Sequence, residues 1–134
     1  QVLSHLSPEG LMTQWLPVGQ LPLAATDLAV RTFVEVFPHS LLFIGSGSHL
    51  ILLGSPAPLN LQRLSSRFEE FASVRLDLRR VGIFDAESLR ARVLLDGASL
   101  LDQLGPGRIL SDQHNDLEHL LYDPGDVGRI SFLP

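Results

Sequence analysis

The chain has 134 residues, which is enough for one domain and too few for two ordinary ones. Apolar residues make up 45% of it and charged residues 19%, so a hydrophobic core can form and global disorder is disfavoured. The formal charge is -5, and all ten basic residues are arginines scattered along the chain. This acidic balance argues against a nucleic-acid partner, which would need a basic patch to neutralise phosphates.

Two missing residue types exclude further chemistry. Without Cys the chain has no disulfide, no thiolate nucleophile and no cysteine-ligated metal, and without Lys it has no Schiff-base amine. No run approaches the roughly 20 apolar residues of a membrane span, and we expect a cytoplasmic protein. The chain opens with Gln1-Val2-Leu3 instead of Met and lacks a signal-peptide pattern, so we expect a fragment entered in mid-domain.

The first predicted strand covers Leu11–Val18, a short and mostly apolar stretch between two glycines. A helix is predicted after it, capped by Thr26 or Asp27 and ending at Phe37. Its apolar residues recur at helical spacing and form a wide stripe. We therefore expect this helix to pack against a sheet.

A hairpin follows the helix. Two apolar runs, Ser40–Ile44 and Leu50–Leu53, are joined by the short loop Gly45–His49, which favours antiparallel pairing. Neither run alternates between apolar and polar residues, so we expect both faces of the sheet to be covered. Residues 1–55 thus form a predicted strand–helix–hairpin part of the α/β class.

Residues 56–134 are predicted to be a mainly helical extension with a polar tail. Helices are expected over Asn60–Phe71 and over Val74–Val81. A third is expected from a cap at Asp85; Gly97 breaks it, and it continues to Gly105 as the C-cap. In the third helix, Val93 and Leu94 are expected to face inward. The tail from Ile109 to Pro134 is rich in turns and contains a candidate edge strand at Arg129–Leu133.

Two polar stretches invite a binding interpretation but fit plainer structures better. Gly45-Ser46-Gly47 lacks the third glycine of a dinucleotide loop and precedes a strand, so it favours a hairpin turn. The stretch Asp112–His119 holds carboxylates and imidazoles, but His114 and His119 are five residues apart, which fits neither a helical pair nor a zinc loop. We therefore expect a solvated loop and assign neither a metal site nor a catalytic residue.

Gln14 and Trp15 are the strongest candidates for ligand contact. They lie toward the C-terminal end of the first predicted strand, where ligands bind in open α/β sheets. An amide beside an aromatic ring suits a flat or cationic ligand. The alternative is that Trp15 anchors the core and Gln14 is a satisfied turn residue.

Several segments also carry a resemblance when taken together. In chain order they are Pro8–Pro17, Arg31–His39, Leu52–Pro56, Leu94–Gly97, and Ile109–Asp112 with Leu117-Glu118. This series resembles bacterial spermidine-synthase-like proteins, which are relatives of the polyamine aminopropyltransferases and have a methyltransferase-like Rossmann fold. The terminal segment departs from that family's pattern at Gln113 and Asn115.

The resemblance implies that the chain is the C-terminal part of such a Rossmann sheet, followed by a helical extension. The first strand would be the family's fifth, the helix its crossover, and the hairpin its last two strands, the final one antiparallel. The family's nucleotide-binding loop and catalytic acid would lie upstream. Gln14, Trp15 and Asp112 are then the candidates for substrate contact, and no cofactor is expected in this segment itself.

Two functions follow as hypotheses. The first is the C-terminal fragment of a transferase that uses S-adenosylmethionine or its decarboxylated form, inactive alone and completed by a missing N-terminal half. The second is a non-catalytic interaction module, in which an exposed strand edge at Leu11–Val18 pairs two copies of the chain. The acceptor and any membrane tether of the longer protein stay open.

Overall fold

The computed structural model describes residues 2–45 and 49–111. Over these residues the protein is a mixed α/β structure with an open, four-stranded antiparallel sheet and short helices. The strands are β1 (Met12–Leu16), β2 (His39–Ile44), β3 (Leu50–Ser55) and β4 (Val93–Asp96). The helices are α1 (Val2–His5), α2 (Leu23–Val36), α3 (Arg63–Glu70), α4 (Ala72–Arg80), α5 (Ala86–Arg90) and α6 (Gly97–Leu104).

The strands lie in the order β1-β3-β2-β4. β2 and β3 form the predicted hairpin, with Leu42 opposite Leu52. β3 also pairs antiparallel with β1, where Leu52 lies opposite Gln14. Because β1 and β2 are both antiparallel to β3, they run parallel to each other, with α2 connecting them and β3 inserted between them.

The hydrophobic core lies between one face of this sheet and helices α2 and α6. The sheet contributes Leu42 and Leu52, and α6 contributes Leu100, all three fully buried. Val30 and Phe33 of α2 complete the contact, as the predicted apolar stripe requires. This core fixes the position of β1 and therefore of Gln14 and Trp15.

Gly54 allows α2 to approach the sheet closely. A Cβ atom at this position would lie 2.6 Å from Cγ of Phe37 and 2.8 Å from Cε1 of Phe33. The two phenyl rings are also in contact, with centroids 4.9 Å apart. Only a residue without a side chain fits beneath this aromatic pair.

The start of α2 differs from the prediction. The helix begins at Leu23, directly after Pro22, and not at a cap formed by Thr26 or Asp27. Thr26 is buried in the first turn, where its Oγ1 donates to the Pro22 carbonyl oxygen at 3.2 Å. Pro22 itself is the N-cap residue, with φ -58° and ψ 148°, and no side chain accepts a capping hydrogen bond there.

The predicted third helix is wrong in its middle and confirmed after the break at Gly97, where α6 runs to Leu104 with Gly105 as its C-cap. Asp85 does cap α5, accepting from the backbone N–H of Ser88 at 2.7 Å, but this helix ends at Arg90. Val93 and Leu94 belong to β4, which pairs with the outer edge of β2. Tertiary pairing overrides the local helical period here, since only the distant β2 supplies the partner.

The expectation that both faces of the hairpin are covered is confirmed only in part, since Leu41 and Ser55 on the face opposite α2 are buried and other residues there are not. On the face opposite α2, Ile51 is 36% exposed and Trp15 is 54% exposed. Part of that face is bordered by α3, since Leu53 and Leu64 line one groove. The other elements match more closely: α3 and α4 lie inside the predicted ranges or within two residues of them.

Candidate functional site

Gln14 and Trp15 lie next to each other on β1 but point to opposite faces of the sheet, as successive residues of a strand do. Gln14 shares its face with Leu52 and Leu42 and so points to the side of α2. Trp15 shares the other face with Ile51 and Phe43. The two side chains therefore cannot line a single pocket, and each must be considered with its own surroundings.

On the α2 side, Gln14 lies in a groove of about 420 Å³, here called the α2 groove. Its walls are mostly apolar and come from β1, α2 and the end of the described chain: Met12, Leu16, Ala29, Phe33, Val36 and Leu110. Thr32 also lines it, but its hydroxyl donates to the Leu28 carbonyl and accepts from the Leu110 N–H at 2.8 Å. The Gln14 amide donates to the Trp15 carbonyl at 3.0 Å.

On the other side, Trp15, Phe43, Ile51 and Val93 form a row across all four strands, here called the Trp15 face. Trp15 stands at its end, next to His49, with ring centroids 5.2 Å apart and the rings tilted by 55°. The Nδ1 atom of His49 is buried, and the part of the chain that the structure describes offers it no hydrogen-bond partner. An apolar ring and an imidazole thus border an open sheet face.

Sequence reasoning missed His49 as a neighbour of Trp15. The sequence indicates only a turn for the loop that holds it, and no local pattern connects residues 34 positions apart. The signal would have been the register, because Trp15 pairs with Ile51 and Leu16 with Leu50. Once β1 is placed beside β3, the residue that precedes Leu50 must lie near the end of β1.

The outer edge of β1 is open among the described residues. β1 pairs with β3 on one side, and the described sheet ends there. Its five residues, Met12–Leu16, carry no charge and no proline, so they lack the usual devices that keep edge strands from pairing. The α2 groove lies beside this edge on one face of the sheet, and the exposed Trp15 lies beside it on the other face.

The acidic residues with shifted pKa values have capping roles. Asp96 accepts from the backbone N–H of Ser99 at 2.8 Å at the start of α6, and this bond lowers the pKa of its carboxyl group. At α5, the backbone N–H and then the side chain of Ser88 lower the pKa of Asp85 in the same way. Both carboxylates are held by helix N-termini, so neither suits the role of a general acid.

Asp112, the third candidate, lies outside the described residues, as do the rest of the polar stretch to His119 and the strand proposed at Arg129–Leu133. Among residues 2–45 and 49–111, no three His, Asp or Glu side chains lie close enough to hold a metal ion. The helices in those ranges are all too short or too polar to cross a bilayer.

Comparisons with protein-family models, with curated proteins and with solved structures yield no match to this chain.

Proposed function

We propose that this chain is the C-terminal part of a spermidine-synthase-like transferase. The complete protein would bind S-adenosylmethionine or its decarboxylated form and transfer an alkyl or aminopropyl group to an amine. One observation carries the proposal: β1 and β2 are parallel, α2 joins them, and the antiparallel β3 lies between them. The sequence resemblance implies a helical crossover and an antiparallel final strand, and α2 and β3 have this arrangement.

The positions of the resembling segments support the same proposal. Gln14 and Trp15 lie in β1, and Arg31–His39 spans the end of α2 and the start of β2. Leu52–Pro56 covers the end of β3, and Leu94–Gly97 the junction of β4 and α6. Each of these four segments thus includes part of a strand.

The open edge of β1 gives the missing half a place to join. In the proposed protein, the preceding strand of the Rossmann sheet pairs with β1, and its flanking helix fills the α2 groove. Gln14 would then be enclosed between the two halves and serve the fold. Trp15 stands on the opposite face near the C-terminal end of β1, so it is the better candidate for contact with the acceptor amine.

The chemistry belongs to the complete protein. An amine must be neutral to attack the activated carbon of the nucleotide, so an acid or base must be positioned beside it. The resemblance places the nucleotide-binding loop and the catalytic acid of the family upstream of this chain, and the two carboxylates with lowered pKa values here, Asp85 and Asp96, cap helices. The chain alone should therefore neither bind the nucleotide nor catalyse transfer.

Calorimetric titration tests this proposal. Decarboxylated S-adenosylmethionine is titrated into the 134-residue chain and into a longer product of the same reading frame that includes the upstream strands. We expect one-to-one binding to the longer protein and none to the short chain. Tight binding to the short chain, or an upstream region without a strand followed by a glycine-rich loop, would contradict the proposal.

A second candidate function is that of a non-catalytic module in which two copies pair through β1. The observation that favours it is the uncharged open edge, flanked on both faces by exposed or groove-lining apolar residues. Two antiparallel β1 strands centred on Gln14 would place Met12 of one copy opposite Leu16 of the other. This pairing would continue the sheet across a two-fold axis.

Light scattering separates this module from the first candidate. A dimer of the isolated chain is expected to dissociate in Thr13→Lys, because a lysine on an edge strand opposes pairing. Ser66→Lys, on the exposed surface of α3, is the matched control and should leave the dimer intact. A monomer at high protein concentration would remove this candidate and leave the transferase proposal standing.

A further inference from the structure

A second groove lies at the other end of β1, away from the C-terminal end where Trp15 stands. It has a volume of about 370 Å³ and is here called the α3 groove, because α3 forms one wall. Its lining includes the apolar residues Leu11, Leu53 and Leu64 and the charged residues Glu9, Arg63 and Arg67. Its size is at the lower end of the range for small-molecule sites.

The two arginines occupy one side of α3, one helical turn apart. Residues at i and i+4 have Cβ atoms about 6 Å apart, so both guanidinium groups can reach one anionic group. Among the described residues, the Arg63 side chain has no hydrogen bond or ion pair. Arg67 meets Glu70 at 3.3 Å, and its guanidinium carbon lies 6.0 Å from the centroid of the Phe71 ring. Both side chains of the ion pair are more than half exposed, and such pairs contribute little.

The position of Arg63 is unfavourable for the helix itself. It is the first residue of α3, and this helix has no acidic residue in its first turn. A cation at a helix N-terminus opposes the helix dipole, which favours negative charge there. A bound anion beside Arg63 would offset the repulsion between this cation and the helix dipole. An anion-binding groove would therefore explain why an arginine begins α3.

We infer that the α3 groove binds a small amphipathic monoanion, a carboxylate with an apolar tail. The tail would lie against the leucines that line the groove, and Arg63 and Arg67 would hold the carboxylate. Among the residues that line the groove, Glu9 offsets one of the two arginines, which suits a monoanion better than a dianion. The inference is independent of the transferase proposal, since it uses neither β1's open edge nor the Trp15 face.

Titration of the full chain with octanoate tests the inference. We expect saturable one-to-one binding, weakened about three- to tenfold in Arg63→Gln and again in Arg67→Gln, because each substitution removes a charge-assisted hydrogen bond. Arg80→Gln, on the exposed surface of α4, is the matched control and should bind as the unmodified chain does. Circular dichroism confirms that each variant is folded.

Three further measurements sharpen the result. Octanol and octylammonium should bind at least about tenfold more weakly than octanoate, since neither offers an anion. Glu9→Gln should bind octanoate more tightly, because it removes a negative charge that repels the carboxylate from the lining of the groove. Equal binding of octanoate and octanol, or unchanged binding when both arginines are replaced, would overturn the inference.

Discussion

Two regions of this molecule are held together by different forces. The sheet, α2 and α6 share a cluster of ten buried apolar residues that includes Leu42, Leu52 and Leu100. The outer layer formed by α3, α4 and α5 buries only Phe68 and Ile83 among its described residues. The comparison indicates that the first region is stabilised by the hydrophobic effect. The outer layer buries too little apolar surface to be stable without packing against the first region.

Polar contacts largely replace apolar burial in the outer layer. Four ion pairs lie within it, and their side chains are 31–80% exposed, so each contributes little to stability. Arg90 of α5 donates to the hydroxyl of Ser65 in α3 and to the Leu61 carbonyl just before α3, and Arg92 donates to the Gly45 carbonyl in the hairpin loop. We expect this layer to open locally while the core region stays folded.

The largest effect is expected from a cavity in the core region. Leu52→Ala should lower the free energy of unfolding by about 2–5 kcal/mol, because Leu52 is fully buried between β1, β2 and α2. Leu76→Ala in α4 is the control: its side chain is 61% exposed, and the change should stay within about 0.5 kcal/mol. Urea denaturation followed by circular dichroism measures both, and similar losses would refute the contrast.

Phe68→Ala probes the outer layer. Its side chain is 5% exposed, and its loss should destabilise α3–α5 by about 2–4 kcal/mol. Amide exchange should then rise in residues 63–90 and stay unchanged in β2 and β3, since the layer contributes little to the core. Equal acceleration in β2 and β3 would mean that the molecule is one cooperative unit.

Two glycine substitutions separate steric crowding from backbone conformation. Gly54→Ala should cost about 1–3 kcal/mol, because the new methyl group collides with Phe33 and Phe37. At Gly82, in the outer layer, the new methyl group of Gly82→Ala meets no atom closer than 3.7 Å, so the only cost is the backbone strain of alanine at a φ of 77°. That cost should be about 1 kcal/mol. Thermal unfolding of the two variants gives the comparison, and a larger loss for Gly82→Ala would contradict it.

The smallest effect concerns the Asp96 cap and depends on pH. Because the Ser99 N–H lowers the pKa of Asp96 in the folded chain, the cap stabilises the protein above the unfolded pKa. This contribution is lost as the pH falls through the lower, folded pKa. Asp96→Ala should therefore cost about 0.5–1 kcal/mol at pH 7, at the low end because the carboxylate is exposed, and less near pH 3. A difference that grows on acidification would contradict this account.

Local patterns predicted the first half of the chain well. The apolar stripe of α2, the glycine-containing loop of the hairpin and the short apolar run of β1 each match the periodicity of one element. The order of the strands could not be derived from periodicity, because it depends on which distant strand offers a pairing edge. The insertion of β3 between β1 and β2 is a tertiary property of this kind.

The candidate site was predicted only in part. The position of Gln14 and Trp15 on β1 followed from the sequence, but adjacency in the chain suggested one shared pocket, whereas the pleat of a strand separates them. Val93 and Leu94 were predicted to be helical for a related reason. Short apolar runs fit a helix and a strand equally well, and only the pairing with β2 shows that these residues form a strand. In both cases the missing information was the partner across the sheet.

The most direct test of the proposed function is hydrogen exchange at β1, measured residue by residue by NMR. In this chain, the amides of Met12–Leu16 that point away from β3 should exchange fast, because the described sheet ends there. In the longer product of the same reading frame, these amides should exchange roughly a hundredfold more slowly, since a neighbouring strand would bond to them. Equal rates in the two proteins would contradict the account.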